Sequence, residues 1–223
     1  MESKSESDCP YVSRGGLKLA AALEAFAIAP SGLVCADLGC SRGGFTDCLI
    51  QHGADHVYAV DTAYGELAWK LRQHPRVTVR ERTNALHFDP WQDNGISGFT
   101  GCDVVTVDLG WTRQRHAVPA ALRWLRRDST ARGASRIITL IKPHYESQGQ
   151  AMRGGRRGVL GAQEASQLLH QVLGELPGLG VETVDWIGSP VHGSRGRAGG
   201  RRGRGNMEYL ALLRPKAAEA PTA

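Results

Sequence analysis

Asp37-Leu-Gly-Cys-Ser-Arg-Gly-Gly-Phe45 links an apolar run, Leu33 to Leu38, to an amphipathic stretch from Phe45 to Gln51. Glycines between a strand and a helix let backbone amides come close to a ligand at the crevice beyond the strand's carboxyl end. A second apolar run, His56 to Val60, ends in Asp61, 24 residues beyond Asp37. A carboxylate about 20 residues past a Gly-rich turn is placed to accept hydrogen bonds from ribose hydroxyls. The spacing Gly39-x-x-x-Gly43-Gly44 is not Gly-x-Gly-x-x-Gly. The turn therefore points to a nucleoside pocket rather than a pyrophosphate cradle, and it counts against a nicotinamide-dependent oxidoreductase. Adenosylmethionine carries no phosphate, and an acid at the turn suits its cationic aminopropyl end.

Working outward, further β-rich runs are Arg76 to Val79, Asp103 to Val107, Ser135 to Ile141, Val181 to Ile187 and Met207 to Leu213. Most of these runs are continuously apolar without alternation, the pattern of a parallel sheet covered on both faces. Amphipathic stretches lie between them at Gly65 to Arg72, Ala117 to Arg127 and Ala162 to Leu176. This alternation predicts a doubly wound α/β sheet of seven strands. No helix separates the final two runs, so the last strand is expected to be antiparallel. The expected organisation is a disordered tail over 1–10, one domain over 11–214 with an Arg/Gly-rich loop over 193–205, and a disordered tail over 215–223.

The 223 residues are 41% hydrophobic, enough for one buried core, and carry a net charge of +5. No apolar stretch reaches the ~20 residues that span a bilayer. The first residues, Met-Glu-Ser-Lys-Ser-Glu-Ser-Asp, lack the apolar centre of a signal peptide, so a cytoplasmic protein is expected. Five cysteines without a Cys-x-x-Cys pair and eight scattered histidines do not indicate a metal centre. The positive charge is clustered. His192 to Gly205 holds five arginines and no acid, and Arg153, Arg156 and Arg157 form a second group. Such runs attract a polyanion by counterion release. Arg123, Arg126 and Arg127 are further candidates for phosphate contacts.

Four charged residues stand where chemistry is expected. Asp108 and Lys142 follow the runs ending at Val107 and Ile141, at the carboxyl ends of central strands. Lys18 and Glu208 are each flanked by apolar residues, a costly position for a lone charge. Two lysines and two carboxylates brought together would neutralise one another.

Several stretches, taken in order, resemble the TlyA (haemolysin A) branch of the FtsJ-like RNA methyltransferases. They are Tyr11-Val-Ser-Arg-Gly-Gly-Leu-Lys-Leu-Ala20, the turn Asp37 to Asp47, Val57-Tyr-Ala-Val-Asp61, Tyr64 to Arg72, Arg80-Glu-Arg-Thr-Asn84, Ile141-Lys-Pro-His-Tyr-Glu146 and Gly205-Asn-Met-Glu-Tyr-Leu210. The resemblance implies a Rossmann-like class I methyltransferase that uses S-adenosylmethionine on a ribose 2′-hydroxyl of ribosomal RNA, with RNA or a ribosomal subunit as partner. It places a Lys-Asp-Lys-Glu catalytic tetrad on Lys18, Asp108, Lys142 and Glu208. It places the cofactor on Gly39, Ser41, Gly43, Gly44, Phe45, Asp61, Asn84 and Asp108. The remaining readings are methylation of transfer or messenger RNA, and a non-catalytic RNA-binding module that kept the fold.

Within the tetrad, Lys142 is the candidate base, with a pKa expected to be depressed by burial and by Lys18. The chain departs from the family in three places, one of them an Arg/Gly run before Gly205 that is longer than usual in the family. The family's small RNA-binding domain precedes the Tyr-Val-Ser-Arg-Gly-Gly motif, whereas ten residues precede it here. After Asp108 the branch usually reads Val-Ser-Phe-Ile-Ser, whereas this chain has Leu109-Gly-Trp-Thr-Arg-Gln-Arg-His116. The Arg/Gly loop, or a protein partner that recruits RNA, is expected to supply the missing phosphate contacts.

Overall fold

The computed structural model describes residues 9–92, 95–128, 134–147, 159–193 and 205–216. A helix α1 (Gly15–Ala25) precedes β1 (Val34–Leu38), α2 (Gly44–Gln51), β2 (His56–Val60), α3 (Trp69–Arg72) and β3 (Val77–Arg80). Then follow β4 (Val104–Val107), α4 (Gln114–Leu122), β5 (Arg136–Ile141), α5 (Pro143–Glu146), α6 (Ala162–Glu175), β6 (Val181–Gly188) and β7 (Tyr209–Pro215).

The seven strands form one sheet in the order β3-β2-β1-β4-β5-β7-β6. Strands β1 to β5 pair parallel, and β7 runs antiparallel to both β5 and β6. The continuously apolar strands are explained by their two covered faces. Cys35, Val57, Val104, Ile138 and Leu212 pack with Leu19, Leu23, Phe45 and Leu49 of α1 and α2. Their strand neighbours Ala36, Val105, Ile137 and Leu213 pack on the other side with Val118 and Ala121 of α4 and Leu169 and Val172 of α6. Each valine, leucine, isoleucine or phenylalanine among them, fully buried, contributes about 1.5–3 kcal/mol.

Sequence and structure differ at element ends. The stretch from Gly65 is helical only from Trp69, because Asp61 and Glu81 accept the Ala63 and Gly65 N–H groups and tie the chain into a turn. The helix expected from Ala117 starts three residues earlier, where a carboxylate from α5 accepts the Gln114 N–H, and it ends at Leu122. The last strand runs to Pro215, and the Lys216 N–H donates to Gly180, so these two residues belong to the sheet rather than to a tail. His52 and His56, four residues apart, face different partners, Cys48 and Thr78. Among the described residues no helix is long and apolar enough to cross a membrane. Residues 1–8 and 217–223, most of the expected tails, lie outside the described residues.

Candidate active site

The turn after β1 closes onto the end of β4. Gly39 has φ 90°, and a Cβ there would lie 2.5 Å from the Asp108 carbonyl oxygen, so no side chain fits at this floor. Gly44 opens α2 against α1. A Cβ at Gly44 would collide with Ser13 Oγ, and one at Gly16 would collide with the Tyr11 ring. The tetrapeptide Ser-Arg-Gly-Gly occurs at 13–16 and at 41–44, and the two copies pack their helix starts together. That contact brings α1, and with it Lys18, to the carboxyl edge of the sheet.

Two clefts open at this edge. One, of about 470 Å³, is lined by Gly39, Ser41, Asp61, Asn84, Asp108 and Lys142, with Thr62, Thr83, Leu109 and Thr112 around them. The other, of about 510 Å³, is lined by Tyr11, Ser13, Arg14, Lys18, Gly44, Phe45 and His192. Gly39, Ser41 and Asp108 line both and form the wall between them. The expected cofactor residues are thus divided: Gly39, Ser41, Asp61, Asn84 and Asp108 share the first cleft, Gly44 and Phe45 face the second. Gly43 lines neither, being packed toward Leu67 and Leu71.

Asp61, at the end of β2, accepts the Ser41 N–H at 2.7 Å and the Ala63 N–H at 2.8 Å, which fixes its carboxylate. Asn84 Oδ1 accepts the Leu86 N–H at 3.0 Å. Asp37 behaves otherwise than expected. Its side chain is wholly buried, reaches neither cleft, and accepts the Thr46 N–H (2.9 Å), the Thr46 hydroxyl (2.7 Å) and the Thr106 hydroxyl (3.1 Å). Burial lifts its pKa from 3.8 to about 7, against the lowering pull of those hydroxyls. Asp37 staples β1, α2 and β4 beneath the turn and cannot meet a ligand's cation.

The four charged residues form two ion pairs. Lys18 Nζ lies 2.5 Å from Glu208 Oε2, and the two residues are only 9% and 5% exposed. Lys142 Nζ lies 2.5 Å from Asp108 Oδ1. Glu208 sits one residue before β7, and its carbonyl accepts the Ser189 N–H, so the β6–β7 hairpin delivers it. The expected depression of the Lys142 pKa is not found. Burial does disfavour the ammonium, but the Asp108 carboxylate in contact, with Glu208 and Tyr145 beyond, outweighs burial and raises the pKa above the ordinary lysine value. A carboxylate at contact distance counts for more than a second lysine that has its own partner.

The arginines expected to reach phosphates through 123–127 are otherwise engaged. Arg123 donates to the Ala85 and Leu86 carbonyls at 3.0 and 2.7 Å, bracing the turn after Asn84 from behind. Arg126 pairs with Asp103 before β4, at the opposite edge of the sheet, and Arg127 stacks over Trp91. Arg153 to Arg157 and Arg195 to Arg204 lie outside the described residues. The flanks of the second run do not: the Gly193 N–H donates to Asn206, and a Cβ at Gly193 would lie 2.6 Å from Glu208 Oε1. Gly193 and Asn206 thus meet beside Glu208. Arg14, Ser13 and His192 escaped the sequence reading as wall residues, since only the meeting of α1 with α2 and of 191–193 with Glu208 brings them to the cleft.

A family model described as FtsJ-like methyltransferase matches residues 11–198. The 16S/23S rRNA (cytidine-2′-O)-methyltransferase TlyA of Mycobacterium tuberculosis is 38% identical over 219 residues, 98% of this chain and 74% of that protein. Among solved structures, a protein of Streptococcus thermophilus described as a hemolysin is 29% identical, with a TM-score of 0.76 over 96% of this chain and 72% of that one. Aeropyrum pernix fibrillarin, solved with S-adenosyl-L-methionine bound, shares the fold at 18% identity, with a TM-score of 0.56 over 89% of this chain and 76% of its own.

Proposed function

This chain belongs to the FtsJ-like methyltransferase family, and from that premise we propose that it moves a methyl group from S-adenosylmethionine to a ribose 2′-hydroxyl of ribosomal RNA in the cytoplasm. The observation that carries the proposal is the pair of lysine–carboxylate contacts meeting at one sheet edge, where Asp108 is common to both clefts.

The first cleft fits the cofactor. Asp61 offers a fixed carboxylate for ribose hydroxyls, Asn84 a side-chain amide, and Gly39 a floor without a side chain. Lys142 is the one cation among its lining residues and is already paired, which suits a donor without phosphates. When bound, S-adenosylmethionine supplies an electrophilic methyl group on a sulfonium. The chain aligns the hydroxyl with that methyl group and excludes water, which is most of what an in-line transfer needs.

Asp108 and Glu208 hold the two ammonium groups, Lys142 in the lining of the first cleft and Lys18 in that of the second. Lys142 is charged at rest, so it must release a proton before it can accept the one that leaves the 2′-hydroxyl. Lys142→Ala should abolish transfer while leaving cofactor affinity within a few-fold. The test is incubation with labelled cofactor and ribosomal subunits from a methylation-deficient strain, followed by nuclease mapping. A 2′-O-methylribose product is expected. Methylated bases, or undiminished turnover in Lys142→Ala, would overturn the assignment.

A further inference from the structure

We propose that Glu146, acting through Gln114, is a positioning residue that holds Lys142 against Asp108; the proposal deepens the functional reading above and rests on it. Helix α4 begins at Gln114 without a side-chain cap from its own N-cap residue, Arg113. The missing acceptor comes from another element: Glu146 Oε1, at the end of α5, takes the Gln114 N–H at 2.9 Å. The Gln114 side chain, itself buried, turns the other way into β5. Its Nε2 donates to the Leu140 carbonyl at 3.2 Å, and its Oε1 accepts the Thr139 hydroxyl at 2.8 Å.

Lys142 lies between these grips. Thr139 and Leu140 precede it by three and two residues, and Glu146 follows it by four. The chain bends from β5 into α5 at Lys142 itself, which has φ −115° and ψ 94°, with Pro143 opening the helix turn. Two ends bound to one buried glutamine fix the angle of that bend, and the angle decides where Nζ points. The same glutamine ends the loop that starts at Asp108, six residues earlier. The segments that carry both members of the Lys142–Asp108 pair therefore meet at one hub, Lys142 through hydrogen bonds on either side of it and Asp108 through the loop that Gln114 ends. A buried acceptor or donor left unmatched is penalised more than an exposed one, which makes the brace stiff. Burial raises the Glu146 pKa, while the Gln114 N–H and the charges of Arg113 and Arg115 act to lower it.

The experiment follows the Lys142 ammonium directly. Uniform ¹⁵N labelling of the full chain, which has five lysines, gives few side-chain ammonium signals, and Lys142→Arg identifies the one wanted. An ammonium held by a partly buried carboxylate exchanges its protons slowly enough to be seen. Glu146→Ala should speed that exchange at least about tenfold or erase the signal, and should lower kcat about tenfold or more, with KM for RNA and cofactor affinity within twofold. Glu146→Gln keeps an oxygen for the Gln114 N–H and should restore both the signal and kcat. Thr139→Val, near-isosteric and therefore folded even if Glu146→Ala is not, cuts the other end and should speed exchange in the same direction. An unchanged Lys142 signal in Glu146→Ala or Thr139→Val overturns the brace, as does Glu146→Gln behaving like Glu146→Ala. The exchange measurement needs neither RNA nor cofactor. A native protein that methylates no RNA, yet whose Lys142 signal responds to Glu146→Ala, sinks the functional reading and leaves the brace standing.

Discussion

Lys18 and Glu208 stand 190 residues apart in the chain and 2.5 Å apart in space, nearly sealed from water. Removing one partner leaves the other buried and uncompensated. Lys18→Ala should therefore cost roughly 3–5 kcal/mol of stability. The double variant Lys18→Met/Glu208→Leu should regain most of that loss and still transfer no methyl group. Denaturant melts of the native protein, Lys18→Met, Glu208→Leu and the double variant give the coupling directly. Additive losses would mean that the pair is held by the fold rather than holding it.

Asp37 makes stability depend on pH. Its folded pKa, about 7, lies above its unfolded value, so the folded state binds the proton more tightly. That contribution is fully present below about pH 4 and is lost as pH rises through about 7. Asp37→Asn, which cannot ionise, should flatten the fall between those limits, a difference on the order of 4 kcal/mol at the alkaline end. Melts at pH 5 and pH 8 decide it; equal pH sensitivity in both proteins would assign the dependence elsewhere.

Asp61→Ala should weaken cofactor binding by roughly 1–3 kcal/mol, the cost of ribose hydroxyls buried without an acceptor. The Ser41 and Ala63 N–H groups lose the same carboxylate, so the turn loosens as well. Calorimetry should show weaker S-adenosylmethionine binding and no NADH binding in either protein. Tight NADH binding to the native chain would reverse the reading of the crevice.

The Lys142 pKa, raised by contact with Asp108 against the opposing effect of burial, sets the direction of the pH–rate profile. Transfer that needs neutral Lys142 must climb as pH rises toward and beyond the ordinary lysine range. Single-turnover rates across the alkaline range, with cofactor saturating, test this. A rate that falls with pH over the same range would make the ammonium, and not the amine, the working form.

The run from Arg195 to Arg204 is flanked in sequence by Gly193 and Asn206, which meet beside Glu208. Replacing its five arginines with serine should weaken RNA binding about equally for all sequences and flatten its salt dependence by several units of slope, up to roughly one per lost phosphate contact. Cofactor affinity should stay as it was. An unchanged slope would transfer RNA delivery to Arg153 to Arg157 or to a partner protein.

The sheet was legible because most strands are short apolar runs and the turns after β1, β2 and β4 carry glycine or aspartate. Asp108 and Lys142 could be placed by counting, since they follow central strands directly. The pairing of Lys18 with Glu208 could be anticipated only as a need for neutralisation; its geometry depends on glycines at 16 and 44 letting two helices touch. Asp37 was misread because a carboxylate at a Gly-rich turn looks the same in sequence whether it faces the ligand or the core. The Lys142 pKa was misjudged for a similar reason: burial can be read from flanking residues, but contact with Asp108 cannot. Arg123 and Arg126 resembled free cations until backbone carbonyls and Asp103 took up their donors.

The sheet order places β7 between β5 and β6, although β6 is made first. During synthesis β6 emerges with no neighbour in the sheet to pair with, and its place opens only when the following strand arrives and slots in beside β5. Glu208 enters at the same moment, and Lys18, 190 residues earlier in the chain, is without that carboxylate until then. Every residue lining the cleft of Asp61 and Asn84 thus precedes β7 in the chain, whereas the Lys18–Glu208 pair is complete only when that strand is in place.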